Sequence, residues 1–449
     1  MEKYKELNYK FLSINKQRGI IDILVYISIL TSSFDILFNI NVAGFSVRLT
    51  QLCAIILFFV FLLRVINVNK VIIPVYFKYL FFYFLLNTVF VFNSIHLKNS
   101  IGYELWLLLN VSQLFVYVNL FNDKDSVCKL LKVYFSSFFV LALIGIIQHI
   151  VLQVGLGKLL LLRYDQDRIC GFSYEPSYYS TYLLPGWCAI LYFMEKGNYV
   201  LFPKKTLVLY FISISLAMLF SYSRMGLVVA FAYVVFRIIT IIFFTRINKG
   251  CIVIKKKNIT WLILLFATIF MIIIYLLYLY KYDYEYFRNR LQGLGLFGTA
   301  KHSSETRMES LYDTLEIFYK SPFLGCSLGD IDGRIAQGKG LIYRGETGLS
   351  MSIIAEQFAA TGIIGGICFV VYLFRMVFLY KKICKNSCYA ETLKGICLGL
   401  IFQIIILNMN QNVLRQYFWI NIAIILVIYN FENIKIKKEN IDYKVNYNK

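Results

Sequence analysis

The chain reads as an all-α polytopic membrane protein with about 12 transmembrane helices and one large extracytoplasmic loop. Three observations predict this. Of its 449 residues, 59% are hydrophobic and only 16% charged, where soluble domains run near half apolar and about a quarter charged. Apolar runs of about 20 residues recur, each long enough to cross a hydrocarbon core about 30 Å thick. Strands alternating apolar and polar residues do not recur, so a β-barrel is not expected. Backbone groups in lipid must pair within their own segment, which makes the apolar runs helices. The mean hydropathy of +0.66 agrees.

The expected spans are 19–38, 49–66, 71–92, 101–121, 131–154, 177–195, 206–222, 225–245, 259–280, 349–379, 391–410 and 417–431. The first follows a basic, polar start without a small-residue cleavage site and is read as a span, not a leader. The run at 349–379 is long enough that its first turns are expected to lie outside the membrane or to tilt. Residues 1–449 are read as a single transmembrane domain, with the loop at 281–348 set within it.

The formal net charge is +21, and its placement decides its meaning. Alternate connections are lysine-rich: the N-terminal tail (Lys3, Lys5, Lys10, Lys16, Arg18), the 246–257 loop, the 380–390 loop and the tail after 431. The opposite short connections carry one basic residue each, Arg48, Lys98, Arg224 and Arg415. This positive-inside pattern predicts both termini in the cytoplasm. The basic excess is therefore topological, and no nucleic-acid partner is expected. No metal site is expected either. His96, His149 and His302 lack metal spacing, and Cys384 and Cys388 lack a second ligand pair. Cys53, Cys188, Cys368 and Cys397 fall in apolar runs as small hydrophobes. Cys170 and Cys326 fall on outer loops, where an oxidising compartment permits a disulfide but the sequence does not show that the two are close. Gly293, Gly295 and Gly298 spell G-x-G-x-x-G, but no strand precedes them, so they read as loop glycines.

Two outer connections are long, about 155–176 and 281–348, and long connections usually carry function. The second holds a helix signature. Thr306 to Glu309 is a Thr-x-x-Glu capping box. Met308, Leu311, Tyr312, Leu315, Phe318 and Tyr319 follow as one apolar stripe, with Glu309, Asp313 and Glu316 off it. Lys320-Ser321-Pro322 ends the helix. An amphipathic helix outside the membrane rests its apolar face on the bundle or on lipid.

Arginine, not lysine, dominates the outer face: Arg163, Arg168, Arg224, Arg288, Arg290, Arg307, Arg334, Arg344 and Arg415. Its planar, permanently charged fork suits phosphate oxygens. The set points to an anionic, phosphate-bearing substrate at the outer leaflet, with headgroup snorkelling as the plain alternative for any single member. Arg224, in "SYSRMG", occupies a turn with almost no loop, close to the bilayer edge, where charge is costly unless paired or functional.

"DRICGFSYEPSYYSTYLL" runs from Asp167 to Leu184. Pro176 suits the first turn of a helix, which sets Glu175 at a helix N-terminus that favours its negative form. Facing outward, Glu175 is either a general base for a sugar hydroxyl or a simple helix-start acid. Tyr174, Tyr178, Tyr179 and Tyr182 either stack on sugar rings or join the interfacial aromatic belt, the belt being favoured for Tyr182. Pro185-Gly186 is expected to kink this span and open space near its outer half.

Four stretches together resemble the O-antigen polymerase and ligase superfamily of bacterial membrane glycosyltransferases. "RICGFSYEPSYYSTYLL" is similar to its Arg-x-x-Gly-Phe segment and Glu/Asn-Pro-Ser/Asn span start. "SYSRMGLVVAF" resembles its Ser-Arg motif at an outer helix start. "ETRMESLYDTLEIFYKSPFLGCSLGD" resembles its Arg-led loop helix ending in Pro-x-x-Gly-x-Gly, and "SIIAEQFAATGIIGG" resembles the span opening that follows the large loop. The resemblance covers about 160–370. It implies a GT-C-like glycosyltransferase of the bacterial inner, or cytoplasmic, membrane. Such an enzyme would act on undecaprenyl-pyrophosphate-linked glycans as donor and acceptor, with no nucleotide sugar and no cofactor. A chain-length regulator protein is the implied partner besides membrane lipid. Carried over, Arg168, Arg224 and Arg307 bind the donor pyrophosphate and stabilise the leaving group. Glu175 activates or orients the acceptor hydroxyl, with inversion at the anomeric carbon. Arg163, Tyr174, Tyr178, Arg288, Arg290, Arg344 and Arg415 are the accompanying substrate-binding candidates. Ligase members carry a His before the closing Gly-rich span, whereas "GLSMSIIAEQ" has none. That favours a repeat-unit polymerase over a ligase to lipid A core, and leaves Glu346 or Glu356 as alternative bases.

A flippase for the same lipid-linked sugars is the rival class. Transporters often carry inverted repeats and broken helices. No repeat is evident between the halves, although Asp22, Asp35 and Glu104 lie within or near spans.

Overall fold

The structure is a computed structural model describing residues 18–42, 45–68, 71–157, 160, 168–243, 247–248, 251–252, 299–341, 350–384, 387–410 and 412–447. Helices dominate, as the composition demands. They are α1 (Arg18–Leu30), α2 (Leu49–Val68), α3 (Phe77–Val91), α4 (Leu97–Leu120), α5 (Lys124–Gln153), α6 (Pro176–Lys196), α7 (Lys204–Phe220), α8 (Arg224–Phe243), α9 (Thr299–Lys320), α10 (Ile331–Gly338), α11 (Ala355–Val377), α12 (Ala390–Leu407) and α13 (Gln416–Tyr447). Every expected span but one falls on a helix; the span at 259–280 lies outside the described residues. Among the described residues, six helices are long and apolar enough to cross a membrane.

Helix α6 is the centre. Nearly all its side chains are buried, and it packs against α5, α7, α8 and α12. Pro185-Gly186 does not open space there. A Cβ on Gly186 would lie 2.4 Å from the Phe138 ring, and one on Gly399 of α12 would lie 2.6 Å from the Pro185 carbonyl oxygen. The pair is used for close helix packing. Tyr182 is likewise a core residue: it is buried and bonds the Ser137 hydroxyl at 2.8 Å, so the aromatic-belt reading gives way. Tyr179 is buried too, its hydroxyl donating to the Leu141 carbonyl at 2.7 Å.

The first span is shorter than expected. Helix α1 stops at Leu30 because Thr31 and Ser32 turn their hydroxyls onto the Ile27 and Ile29 carbonyls, a local competition with the helical ladder. A short antiparallel hairpin follows, β1 (Asn39–Val42) with β2 (Phe45–Arg48). A second, β3 (Ile247–Asn248) with β4 (Cys251–Ile252), follows α8.

The expected outer connections meet at one end of the bundle. Asp35 joins the α1–β1 turn to residues 172–174 and to Arg415. Arg168 joins the turn between α7 and α8, and Asn408 joins residues 352–354. Asp330 ties the large loop to the α3–α4 connection, accepting from the Ile95 and His96 amides at 3.1 and 2.9 Å, the His96 ring at 2.7 Å and Arg334 Nε at 2.7 Å. Burial alone would raise the Asp330 pKa, but these hydrogen bonds bring it below the ordinary aspartate value. Glu104 belongs to the same anchor. Asn87 and Thr88 bond its carboxylate, while the Asn87 oxygen accepts the Leu328 amide. At the opposite end Lys382 lies 4.8 Å over Tyr76, and Asn198 bonds Thr392. A buried bidentate pair, Arg237 with Glu195 at 2.6 and 2.8 Å, joins α8 to α6.

The loop after α9 is docked through its backbone. The Cys326 and Ser327 amides donate to the Ala359 and Ala360 carbonyls, and the Ile363 amide donates to the Pro322 carbonyl. Helix α11 opens there at Gly362, whose φ of 64° only glycine holds without strain. A Cβ on Gly325 would sit 1.9 Å from the Ala360 carbonyl oxygen, so the first glycine of the Pro-x-x-Gly-x-Gly pattern is a close-approach residue. The second is Ser327 here. Its φ of 72° and ψ of 148° fall in a region that is nearly glycine-only. We expect Ser327→Gly to stabilise the protein by about 1 kcal/mol, relief of strain outweighing added unfolded-state entropy. Thermal unfolding in detergent checks it, and a lowered midpoint counts against the strain.

Helix α9 begins at Thr299, not at the Thr306–Glu309 capping box. Residues 299–305 contain no glycine or proline, so nothing stops the helix upstream, and Thr306 lies in its interior. Lys320 ends the helix as expected. Glu316 and Asp313, off the stripe, pair with Lys320 at 2.7 Å and Lys339 at 2.6 Å.

Candidate active site

One cavity of about 990 Å³ opens at the end where the expected outer connections meet, and its wall includes Arg168, Glu175, Arg224 and Arg307. These are the four residues expected to be catalytic, and they come from three separate parts of the chain.

Each is positioned by local chemistry. Glu175 is the residue preceding the first turn of α6, with an extended backbone, and Pro176 occupies the first helical position as expected. The Glu175 side chain does not cap its own helix; its carboxylate accepts from the Ser177 hydroxyl at 3.2 Å. Arg224 is the first residue of α8. The Ser223 hydroxyl accepts the Gly226 amide at 3.4 Å, a cap on that helix start. A Cβ on Gly226 would overlap Ser180 Oγ at 1.8 Å, so α8 crosses α6 in close contact just beyond Arg224. Arg168 braces the same turn, its Nε and Nη2 donating to the Ser221 and Tyr222 carbonyls at 3.2 and 3.1 Å.

Arg307 enters from α9 within electrostatic reach of Glu175 and Tyr178. Burial pulls its pKa below the ordinary arginine value, with Glu175 and Tyr178 opposing. The rest of the α9 stripe divides. Met308, Leu311, Leu315 and Phe318 line the cavity, facing Met225, Val228, Met351, Ile354, Phe358 and Met409, while Tyr312 and Tyr319 are exposed. Among the described residues the cavity thus has a cationic wall with one carboxylate, Glu175, and an extended apolar wall. Such a site can hold an anion by charge-assisted hydrogen bonds and an aliphatic group beside it, with a carboxylate poised over the junction.

The remaining candidates are placed as follows. Tyr178 lies one turn beyond Glu175, and the Arg415 guanidinium stacks on its ring at 4.3 Å. Arg415 is not on the cavity wall: it donates to Asp35 at 2.9 Å. Burial works against its charge, but Asp35 foremost, with Tyr178, Tyr417 and Glu175, keeps its pKa raised. Tyr174 gives its backbone amide to Asp35 at 3.1 Å. Arg334 serves Asp330 and the Asn93 carbonyl. Arg163, Arg288, Arg290, Arg344, Glu346 and the 293–298 glycines lie outside the described residues. Glu356 is buried away from the wall, where the Ser350 hydroxyl lies 2.9 Å from both its carboxylate and that of Asp332. Cys170 and Cys326 are separate buried thiols.

Sequence reasoning missed Ser177, Ser223, Asn408 and the half of the apolar wall that faces the α9 stripe, all of which line the cavity. The two serines had a signal, since each sits within two residues of a candidate. Asn408 and the facing residues had none, because their neighbours come from other helices, whereas the α9 half of the wall was visible as the stripe.

Residues 209–370 match a family model described as O-antigen ligase. The match agrees with the superfamily resemblance. It covers about a third of the chain, from α7 into α11, and includes Arg224 and Arg307 but neither Arg168 nor Glu175. No curated protein and no solved structure matches the chain. Over the matched stretch the chain is O-antigen ligase-like, within a membrane protein of many apolar helices.

Proposed function

We propose that the protein polymerises undecaprenyl-pyrophosphate-linked oligosaccharide repeat units into a surface polysaccharide, O-antigen, capsule or exopolysaccharide, at the outer face of the cytoplasmic membrane. The observation that carries this reading is the meeting of Arg168, Arg224 and Arg307 with Glu175 around one cavity that also has an apolar wall. The arginines hold the donor diphosphate, and the apolar side chains take the adjoining lipid. Glu175 accepts the proton of an acceptor sugar hydroxyl as that oxygen attacks the anomeric carbon. The bond from that carbon to the phosphate oxygen breaks, and the diphosphate departs on its lipid with the bonding electrons. The guanidinium groups are already in place for the negative charge that builds on it, which is electrostatic preorganisation. A single displacement of this kind inverts the anomeric centre.

The missing histidine in "GLSMSIIAEQ" favours polymerase over ligase. The test is reconstitution of the full chain in vesicles with a lipid-linked repeat unit and no nucleotide. A ladder of lipid-linked products is expected. A single transfer to lipid A core in place of a ladder would identify a ligase. Movement of the substrate across the bilayer without a new bond would identify a flippase.

A charge of lowered pKa at Arg307 leads to a second expectation. In Arg307→Lys the same burial acts on an amine, whose ordinary pKa is about 10.4 and falls readily when desolvated. The variant is expected to keep partial activity near neutrality and to lose it as pH rises through that lowered value. The parent keeps its charge over the same range. Parallel pH profiles of product formation decide this, and identical alkaline limbs would remove Arg307 from the donor site.

A further inference from the structure

We propose that Asp35, a residue outside the cavity wall, is the positioning residue that sets Glu175 for the reaction. The assignment rests on Glu175 acting as proposed above. Asp35 is 4% exposed and follows the end of α1. Its own amide and that of Ile36 donate to the Phe172 carbonyl at 2.8 and 3.1 Å. Its Oδ2 accepts the Tyr174 amide at 3.1 Å, and the Ser173 hydroxyl donates to the Ser33 carbonyl at 2.9 Å. Residues 33–36 therefore clamp 172–174 on both backbone and side chain, and the next residue is Glu175. The other carboxylate oxygen works from the far side. Oδ1 forms an ion pair with Arg48 at 3.0 Å and accepts from Arg415 at 2.9 Å, and Arg415 stacks on Tyr178, one helical turn past Glu175.

One buried carboxylate thus holds the residue before the proposed base and the residue one turn beyond it. It also holds two guanidinium groups, one of which, Arg415, feels the Glu175 charge. Removing the charge of Asp35 leaves Arg48 and Arg415 facing each other without their shared partner. Arg415 is then released toward Glu175, whose charge it already feels. A base displaced by about 1 Å, or tied up in an ion pair, costs on the order of 10²-fold in rate. The donor arginines, Arg168, Arg224 and Arg307, share no hydrogen bond with Asp35 among the described contacts and are expected to keep their grip.

The test uses the full chain in vesicles with a lipid-linked repeat unit. Asp35→Asn is expected to lower kcat by about 30- to 100-fold and to change donor KM by no more than about twofold. In a Glu175→Gln background the same change is expected to cost no more than about twofold further, because the two residues act as one unit. Loss carried in donor KM, or losses that multiply, would overturn the assignment in favour of a general packing role. If Asp35→Asn fails to accumulate in the membrane, Asp35→Glu, which keeps the charge and shifts the oxygens, is read in the same way. A second arm needs no turnover. With Glu175→Cys, the rate of maleimide labelling at position 175, read by peptide mass spectrometry, is expected to change at least about fivefold when Asp35→Asn is added, because the clamp is released. An unchanged rate overturns the positioning claim. A parent protein with no activity, together with a changed labelling rate, would instead count against the reaction proposed above and leave the clamp standing.

Discussion

Replacing Arg224 with alanine is expected to reduce the product ladder by at least about 10²-fold, the scale of removing one preorganised charge from a developing anion. The protein is expected to remain folded and inserted. The reason lies in how the turn is built. Arg224 lines the cavity as the first residue of α8, so its guanidinium and the positive end of that helix act on the same space. The turn has supports besides this side chain. Arg168 donates to the Ser221 and Tyr222 carbonyls, Ser223 caps the helix, and Gly226 lies against Ser180. Truncation at Arg224 leaves that scaffold standing and removes a charge from the wall. Arg224→Lys is expected to recover only part of the loss, because an ammonium is a point charge and does not offer a planar fork to two phosphate oxygens. Product ladders from reconstituted vesicles, normalised to inserted protein, measure this. A ladder of normal length and amount from Arg224→Ala would remove the donor-site assignment.

Much of the architecture was legible because lipid imposes strong local rules. Runs of apolar residues about 20 long have few structures open to them. Among the described residues, the connections expected outside meet at one end of the bundle. The grouping of Arg168, Glu175, Arg224 and Arg307 came from the superfamily resemblance, and three of them also stand beside a local signal: Glu175 a helix-start proline, Arg224 a turn of almost no loop, Arg307 an amphipathic stripe. What escaped depends on tertiary partners. Tyr182 reads as a belt residue by its position near a span end, yet Ser137 of α5 takes its hydroxyl into the core. Arg415 reads as a ligand for phosphate, yet Asp35, far away in the chain, holds it against Tyr178. Pro185-Gly186 reads as a kink that opens space, yet Phe138 and Gly399 occupy that space. Thr306 reads as a cap because the box pattern is local, but the upstream residues continue the helix without penalty. In each case a residue type narrowed the choice and a neighbour from elsewhere in the fold decided it.

The proton acceptor is the most exposed part of the mechanism, and Glu175→Gln tests it. The substitution keeps the size and the hydrogen-bonding oxygen of the side chain while removing its charge and basicity. The Ser177 hydroxyl still has an acceptor, and the backbone ahead of α6 stays clamped through Phe172 and Tyr174, so no rearrangement of the wall is expected. Donor affinity should hold or rise slightly, because a carboxylate facing a bound diphosphate repels it and an amide does not. Turnover is expected to fall by about 10²- to 10⁴-fold, the range for loss of a general base. The pattern of lowered kcat with unchanged or lowered donor KM is what distinguishes a base from a binding residue. Glu356, turned toward Ser350 and Asp332, is not at the cavity wall to take over. Single-turnover formation of the first glycosidic bond, with donor binding measured separately, gives both quantities. Undiminished turnover in Glu175→Gln would mean that the acceptor hydroxyl loses its proton elsewhere. Glu175 would then be left with a binding role only.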